Sequence, residues 1–134
     1  MSATLTWYTD DIILCTLEGE FDVETYAVME GKLPMMVREV DHPVSVILYL
    51  AAGAELPNLR GILQEIGILC NVMPPNFRLF VGVGHGFLLT NPLSLMIASI
   101  ILNRYYKRNR GRVRVAGSIQ KAVRLIDALS GDAG

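Results

Sequence analysis

Apolar and polar positions alternate from the first residues of the chain. Leu5 and Trp7 sit between Thr4, Thr6 and Tyr8, and a period of two predicts a strand. Asp10-Asp11 supplies a turn into Ile12–Gly19, a run that is β-branched at its start and bounded by turn residues. The two segments together predict a hairpin. Asp22 then reads as an N-cap, with Glu24 well placed against the helix dipole. Helical character continues to about Val40, interrupted by Gly31 and Pro34. A proline inside a helix costs about 3 kcal/mol, which predicts a kink or break near Lys32–Leu33. Asp41-His42-Pro43 ends the element, and the nearly all-apolar run Val44–Leu50 predicts a strand covered on both faces.

The second half of the pattern repeats this alternation of element types. Residues 51–56 read as a loop, and Pro57 suits the first turn of a helix. Leu59, Ile62, Leu63, Ile66, Leu69 and Cys70 recur at steps of three and four, an amphipathic stripe that Met73-Pro74-Pro75-Asn76 stops. Phe77–Val83 reads as a further buried strand, closed by a glycine-rich turn. Thr90-Asn91-Pro92 caps a helix that runs to about Asn109, and Gly111 breaks it. Val113 and Val115 predict a short strand. Ser118 caps a last helix with Ile119, Ala122, Val123, Ile126 and Leu129 on one stripe, and the tail from Ser130 is expected to fray. The order is ββαβαβαβα. It predicts an α/β fold, a mixed sheet of about five strands with a parallel portion and helices packed on it. Without a linker or internal repeat, residues 4–130 read as a single domain.

Composition narrows the class. Of 134 residues, 51% are hydrophobic and 19% charged, which excludes disorder and predicts a dry core. Met1-Ser2-Ala3-Thr4 lacks a basic region followed by an apolar run. The longest apolar stretch, Leu93–Leu102, is about half the length a bilayer needs. A cytoplasmic protein without a transmembrane segment is expected. Cys15 and Cys70 lie in apolar patterns and read as buried free thiols; with His42 and His85 they show no zinc-like spacing. Net charge is −1 but lopsided. Residues 1–65 carry eleven acids against Lys32, Arg38 and Arg60, and residues 66–134 carry only Asp127 and Asp132 against nine bases.

Three short runs carry a family resemblance: Asp41-His42-Pro43-Val44 leading into an apolar strand, then Leu56-Pro57-Asn58, then Pro75-Asn76-Phe77 before the next strand. With the element order, they make residues 5–129 resemble the STAS domains, and within them the bacterial anti-sigma-factor-antagonist-like proteins. The resemblance implies a regulatory module that works by binding proteins. Antagonists of that family are phosphorylated on a serine or threonine at the start of the helix after the central strand. Here no serine or threonine occurs from Val46 to Leu89, so that switch does not carry over. Lipid-binding relatives of the fold leave an apolar ligand as an alternative.

The remaining candidate chemistry is sparse. Gly82-Val83-Gly84-His85-Gly86-Phe87 places phenylalanine where a dinucleotide fingerprint needs glycine, so it reads as a turn and His85 as a turn residue. His42 precedes a proline and is held extended; beside Asp41 it has no nucleophile placed by a motif. Glu18 and Glu20 read as a solvated strand end. No catalytic residue, cofactor site or metal site is assigned, and a non-enzyme is expected. Two stretches remain. The helix through Leu93, Leu95, Met96, Ile97, Ile100 and Ile101 is apolar on nearly every face, which predicts burial on more than one side, by neighbouring helices or by a second subunit; a homodimer is the favoured reading, and an apolar ligand groove an alternative. Directly after it, Arg104, Lys107, Arg108, Arg110, Arg112 and Arg114 form a basic segment with Tyr105 and Tyr106. Cations at a helix C-terminus are stabilised by its dipole; the alternative is a polyanion partner, nucleic acid or an anionic membrane. The protein partner implied by the resemblance is not named by the sequence.

Overall fold

The computed structural model describes residues 2–19, 23–51, 69, 72–83 and 113–132. Strands β1 (Ser2–Thr9) and β2 (Ile12–Glu18) form the expected antiparallel hairpin around Asp10-Asp11. Helix α1 (Val23–Arg38) leads to β3 (Val44–Leu50), which lies parallel to β2. Strands β4 (Phe77–Val83) and β5 (Val113–Ala116) add in parallel, and α2 (Ile119–Asp132) follows β5. The sheet order is β1-β2-β3-β4-β5, so each strand pairs with its neighbour in sequence. The fold is α/β with a mixed sheet and helices on it, as the alternation of patterns predicts. The helices expected across 57–70 and 90–109 lie outside the described residues, apart from Leu69, which is helical and buried.

The two helices cover opposite faces because β-strand side chains alternate. Met29, Leu33 and Val37 of α1 pack with Ile13, Cys15, Leu17, Val44, Val46 and Leu48, together with Leu69. Ala122 and Ile126 of α2 pack with Ile12, Ile47, Val81 and Val83 on the other side. Strand β3 therefore buries both parities, which is why Val44–Leu48 reads as a continuous apolar run. One irregularity makes this possible in β4. Val44 pairs with Phe77 but Val46 pairs with Phe80, so three residues of β4 span two of β3. This bulge puts Phe77 and Phe80 on the α1 face together and turns Leu79 to the α2 face.

Two local expectations need correction. The break expected near Lys32–Leu33 does not occur: helix α1 runs from Val23 to Arg38 through Pro34. Pro34 forfeits one backbone hydrogen bond, but it is itself buried, and Met29, Leu33 and Val37 of the same helix are buried in the core. Each such buried side chain contributes about 1.5–3 kcal/mol, enough to hold the helix through the proline. The tail is the second correction. Helix α2 continues to Asp132 rather than ending at Ser130, because its last turns are tied down by Ile126 in the core and by a guanidinium at Leu129. Its start is as expected: the Lys121 amide donates to the Ser118 hydroxyl at 3.1 Å, and the Ala122 amide to the Ser118 carbonyl at 3.0 Å.

Candidate functional site

Thr9, Asp10, Asp11, His42, Ser45, Asn76 and Arg78 stand near the N-terminal end of the parallel strands. Here the hairpin turn, the loop after α1, the start of β3 and the bulge of β4 meet. The turn is closed by its own side chains: the Thr9 hydroxyl donates to Asp11 Oδ1 at 2.7 Å, and the Asp11 amide donates back to Thr9 Oγ1 at 3.4 Å. The Ser45 amide then donates to the Asp11 carbonyl at 2.9 Å, joining the turn to β3.

Asn76 ties the next two segments. Its side-chain Nδ2 donates to the carbonyls of Val37 at 2.8 Å, Val40 at 3.2 Å and His42 at 3.1 Å. Its own carbonyl accepts the Val44 amide at 2.9 Å. The last carbonyls of a helix have no partner inside the helix, and here the Asn76 amide, 39 residues away, supplies one to Val37 in the last turn of α1 and also holds the Val40 carbonyl just beyond it. The runs Asp41-His42-Pro43-Val44 and Pro75-Asn76-Phe77, separate in sequence, are thus one hydrogen-bonded unit.

Beside this unit lies an open cleft of ≈ 520 Å³ lined by Thr9, Asp10, Asp11, His42, Pro43, Ser45, Arg78 and Ile126. Arg78 reaches it from the bulge and donates to the Leu129 carbonyl of α2 at 2.8 Å. No basic residue stands in the last turn of α2, so Arg78 brings the cation that the dipole favours there. His42 donates from Nδ1 to the Pro43 carbonyl at 3.1 Å. Ser45 and His42 share the cleft wall, but among the described residues no hydrogen bond joins them. General-base activation of a serine requires that contact, so the cleft has polar groups of both signs without an assembled nucleophile.

Cys15 is the other group with reactive potential. It is buried on the α1 face of β2 as a free thiol. Burial pushes its pKa up to about 12 from an ordinary 9.0. A thiol held protonated is neither a nucleophile nor a metal ligand at neutral pH. Among the described residues no three His, Cys, Asp or Glu side chains come together to hold a metal, and no helix is long and apolar enough to cross a membrane.

Of the residues singled out from the sequence, Leu93, Leu95, Met96, Ile97, Ile100 and Ile101 lie outside the described residues, as do Arg104, Lys107, Arg108, Arg110 and Arg112. Cys70, Glu20 and His85 do too. Arg114 stands in β5, half-buried and in register with Val81. Gly82 belongs to β4, in register with Val115, as the strand expected over Phe77–Val83 has it. Sequence reasoning missed Ser45 and Arg78, which look like ordinary strand residues. It met Asn76 as a helix stop and within a resemblance run, without assigning its side chain a role; its position after two prolines and before an apolar strand was the available signal. Compared with family models, curated proteins and solved structures, the chain matches none.

Proposed function

We propose that the chain is a non-enzymatic, STAS-like protein-interaction and regulatory module of the cytoplasm that self-associates as a homodimer. One observation carries this reading. Two of the three runs on which the STAS resemblance rests, Asp41–Val44 and Pro75–Phe77, are joined through Asn76, and its three side-chain donations all go to backbone carbonyls. That arrangement is a scaffold joint between α1, β3 and β4, and among the described residues the polar cleft beside it pairs no nucleophile with a base. The order of the sheet supports the same reading, with parallel strands added one after another behind an antiparallel hairpin. In this proposal the helices that the sequence pattern predicts across 57–70 and 90–109 complete the order ββαβαβαβα over five strands.

The absence of serine and threonine from Val46 to Leu89 makes the module a constitutive binder rather than a phosphorylation switch at that place. Self-association is supported at the level of sequence by the run 93–102, apolar at every position but Ser94 and Ser99. Size-exclusion chromatography with light scattering tests the reading. A dimer is expected at tens of micromolar, and a monomer at that concentration refutes self-association.

A further inference from the structure

Strand β1 closes one side of the sheet, so among the described residues one row of its backbone N–H and C=O groups has no strand beside it. Sheet edges of this kind pair with other chains unless they are protected by charge, proline, a bulge or brevity. β1 is eight residues long, and Ser2–Thr9 contains no charged residue and no proline. Its one device is a bulge near the end: Trp7 pairs with Ile13 and Thr9 with Ile12, which leaves Tyr8 extra. Ahead of Tyr8 the strand is regular and unprotected. Trp7 is 37% exposed and Tyr8 47%, so two large aromatic side chains also stand partly in solvent on this edge strand.

We propose that β1 pairs antiparallel with β1 of a second copy, in a register centred on Leu5, extending the sheet across a two-fold axis. The inference rests on the homodimer proposed above and gives it a contact surface other than the run 93–102. Outward-facing backbone groups alternate along a strand, so antiparallel partners must share parity. Among the registers this permits, the one centred on Leu5 uses Ala3–Trp7, all ahead of the bulge. It places Trp7 opposite the partner's Ala3, Thr4 opposite the partner's Thr6, and Leu5 opposite the partner's Leu5. Each copy thus sets its largest residue of the stretch against the smallest. Threonine meets threonine on the face away from α1, a favourable cross-strand pair. No like charges come face to face. The strand fits itself in size and brings no charge against its own copy, which selects a second copy over an unrelated extended peptide.

Substitution of the two exposed threonines tests this without touching the core. T4K/T6K sets lysine against lysine in the proposed register, and T4E/T6E sets glutamate against glutamate. Each double variant is expected to raise the dimer Kd at least tenfold by light scattering and sedimentation, with circular dichroism unchanged. An equimolar mixture of the two is expected to recover a heterodimer at low salt. Trp7 is the only tryptophan of the chain, so wild-type emission should shift to the blue as concentration rises, and that of T4K/T6K should not. If a double variant misfolds, the wild-type fluorescence titration still decides: no shift across the dimerisation range overturns the pairing. A wild-type dimer that T4K/T6K leaves intact overturns the edge pairing while the homodimer survives on another surface. A wild-type monomer at tens of micromolar removes both.

Discussion

Asn76→Asp is the sharpest probe of the joint between α1, β3 and β4. The replacement keeps the shape of the side chain and removes its donors. In the native protein two amide hydrogens serve three carbonyl oxygens, at 2.8, 3.2 and 3.1 Å, so the side chain supplies at most two good hydrogen bonds. Each is worth about 0.5–1.5 kcal/mol net, which sets the loss in Asn76→Ala at about 1–3 kcal/mol. Because Asn76 is half-buried, water can reach the freed carbonyls, and the lower half of that range is expected. The carboxylate is worse, since it faces three oxygens with no hydrogen to share. Asn76→Asp should cost about 2–4 kcal/mol at neutral pH, a large part of the roughly 5–15 kcal/mol that holds a domain together.

The same geometry fixes a pH dependence. Three facing carbonyls favour the protonated acid, so the introduced carboxyl has a raised pKa in the folded state. The folded protein then binds a proton that the unfolded chain releases. Stability of the variant is therefore greatest below the unfolded value of about 3.9 and declines as pH rises through the raised one. Urea denaturation of wild type, Asn76→Ala and Asn76→Asp between pH 4 and 8 measures this as a difference from wild type. A deficit in Asn76→Asp that is below 0.5 kcal/mol, or that does not grow with pH, would refute the assigned role of the side chain.

Other positions make equally direct tests. A Cβ added at Gly31, inside α1, meets nothing within 4 Å, so Gly31→Ala should stabilise by about 0.5–1 kcal/mol in thermal or urea melts. Gly19 ends β2 at a φ of 83°, and Gly19→Ala should instead destabilise by about 1–2 kcal/mol; the same sign for both would contradict the backbone geometry. Arg78→Met removes a charge-assisted hydrogen bond to Leu129 and the cation at the end of α2. A loss of about 1.5–3 kcal/mol is expected, with hydrogen exchange fastest in the last turn of α2; uniform exchange would count against it. In a Cys70→Ser background, Cys15 should resist a thiol reagent until denaturant is added, and rapid native labelling would contradict its burial. Its pKa of about 12 against 9.0 means the folded state keeps a proton that the unfolded chain loses. That contribution is complete below pH 9 and is lost between pH 9 and 12, at up to roughly 1.4 kcal/mol per pH unit; Cys15→Ala should remove that slope.

The sequence by itself determined the strands and their character. Period two in Thr4–Tyr8 marks β1 as a strand with a threonine face in solvent, and the unbroken apolar run Val44–Leu48 marks β3 as buried on both sides. It also determined the start of α2, because a serine cap three residues before Lys121 is a local device. Tertiary structure decided what depends on distant partners. Pro34 predicts a break, but burial of α1 against the sheet holds the helix through it. Phe77 and Phe80 share a face only because β4 bulges against β3, a register event with no residue signature of its own. Asn76 looks like turn punctuation until the fold brings α1's last carbonyls to it. Arg78 in the same way becomes the cation of a helix it does not belong to. Local pattern reads out through φ, ψ and periodicity; these contacts join residues 36 to 51 positions apart, and only packing of the sheet against α1 and α2 brings them within reach.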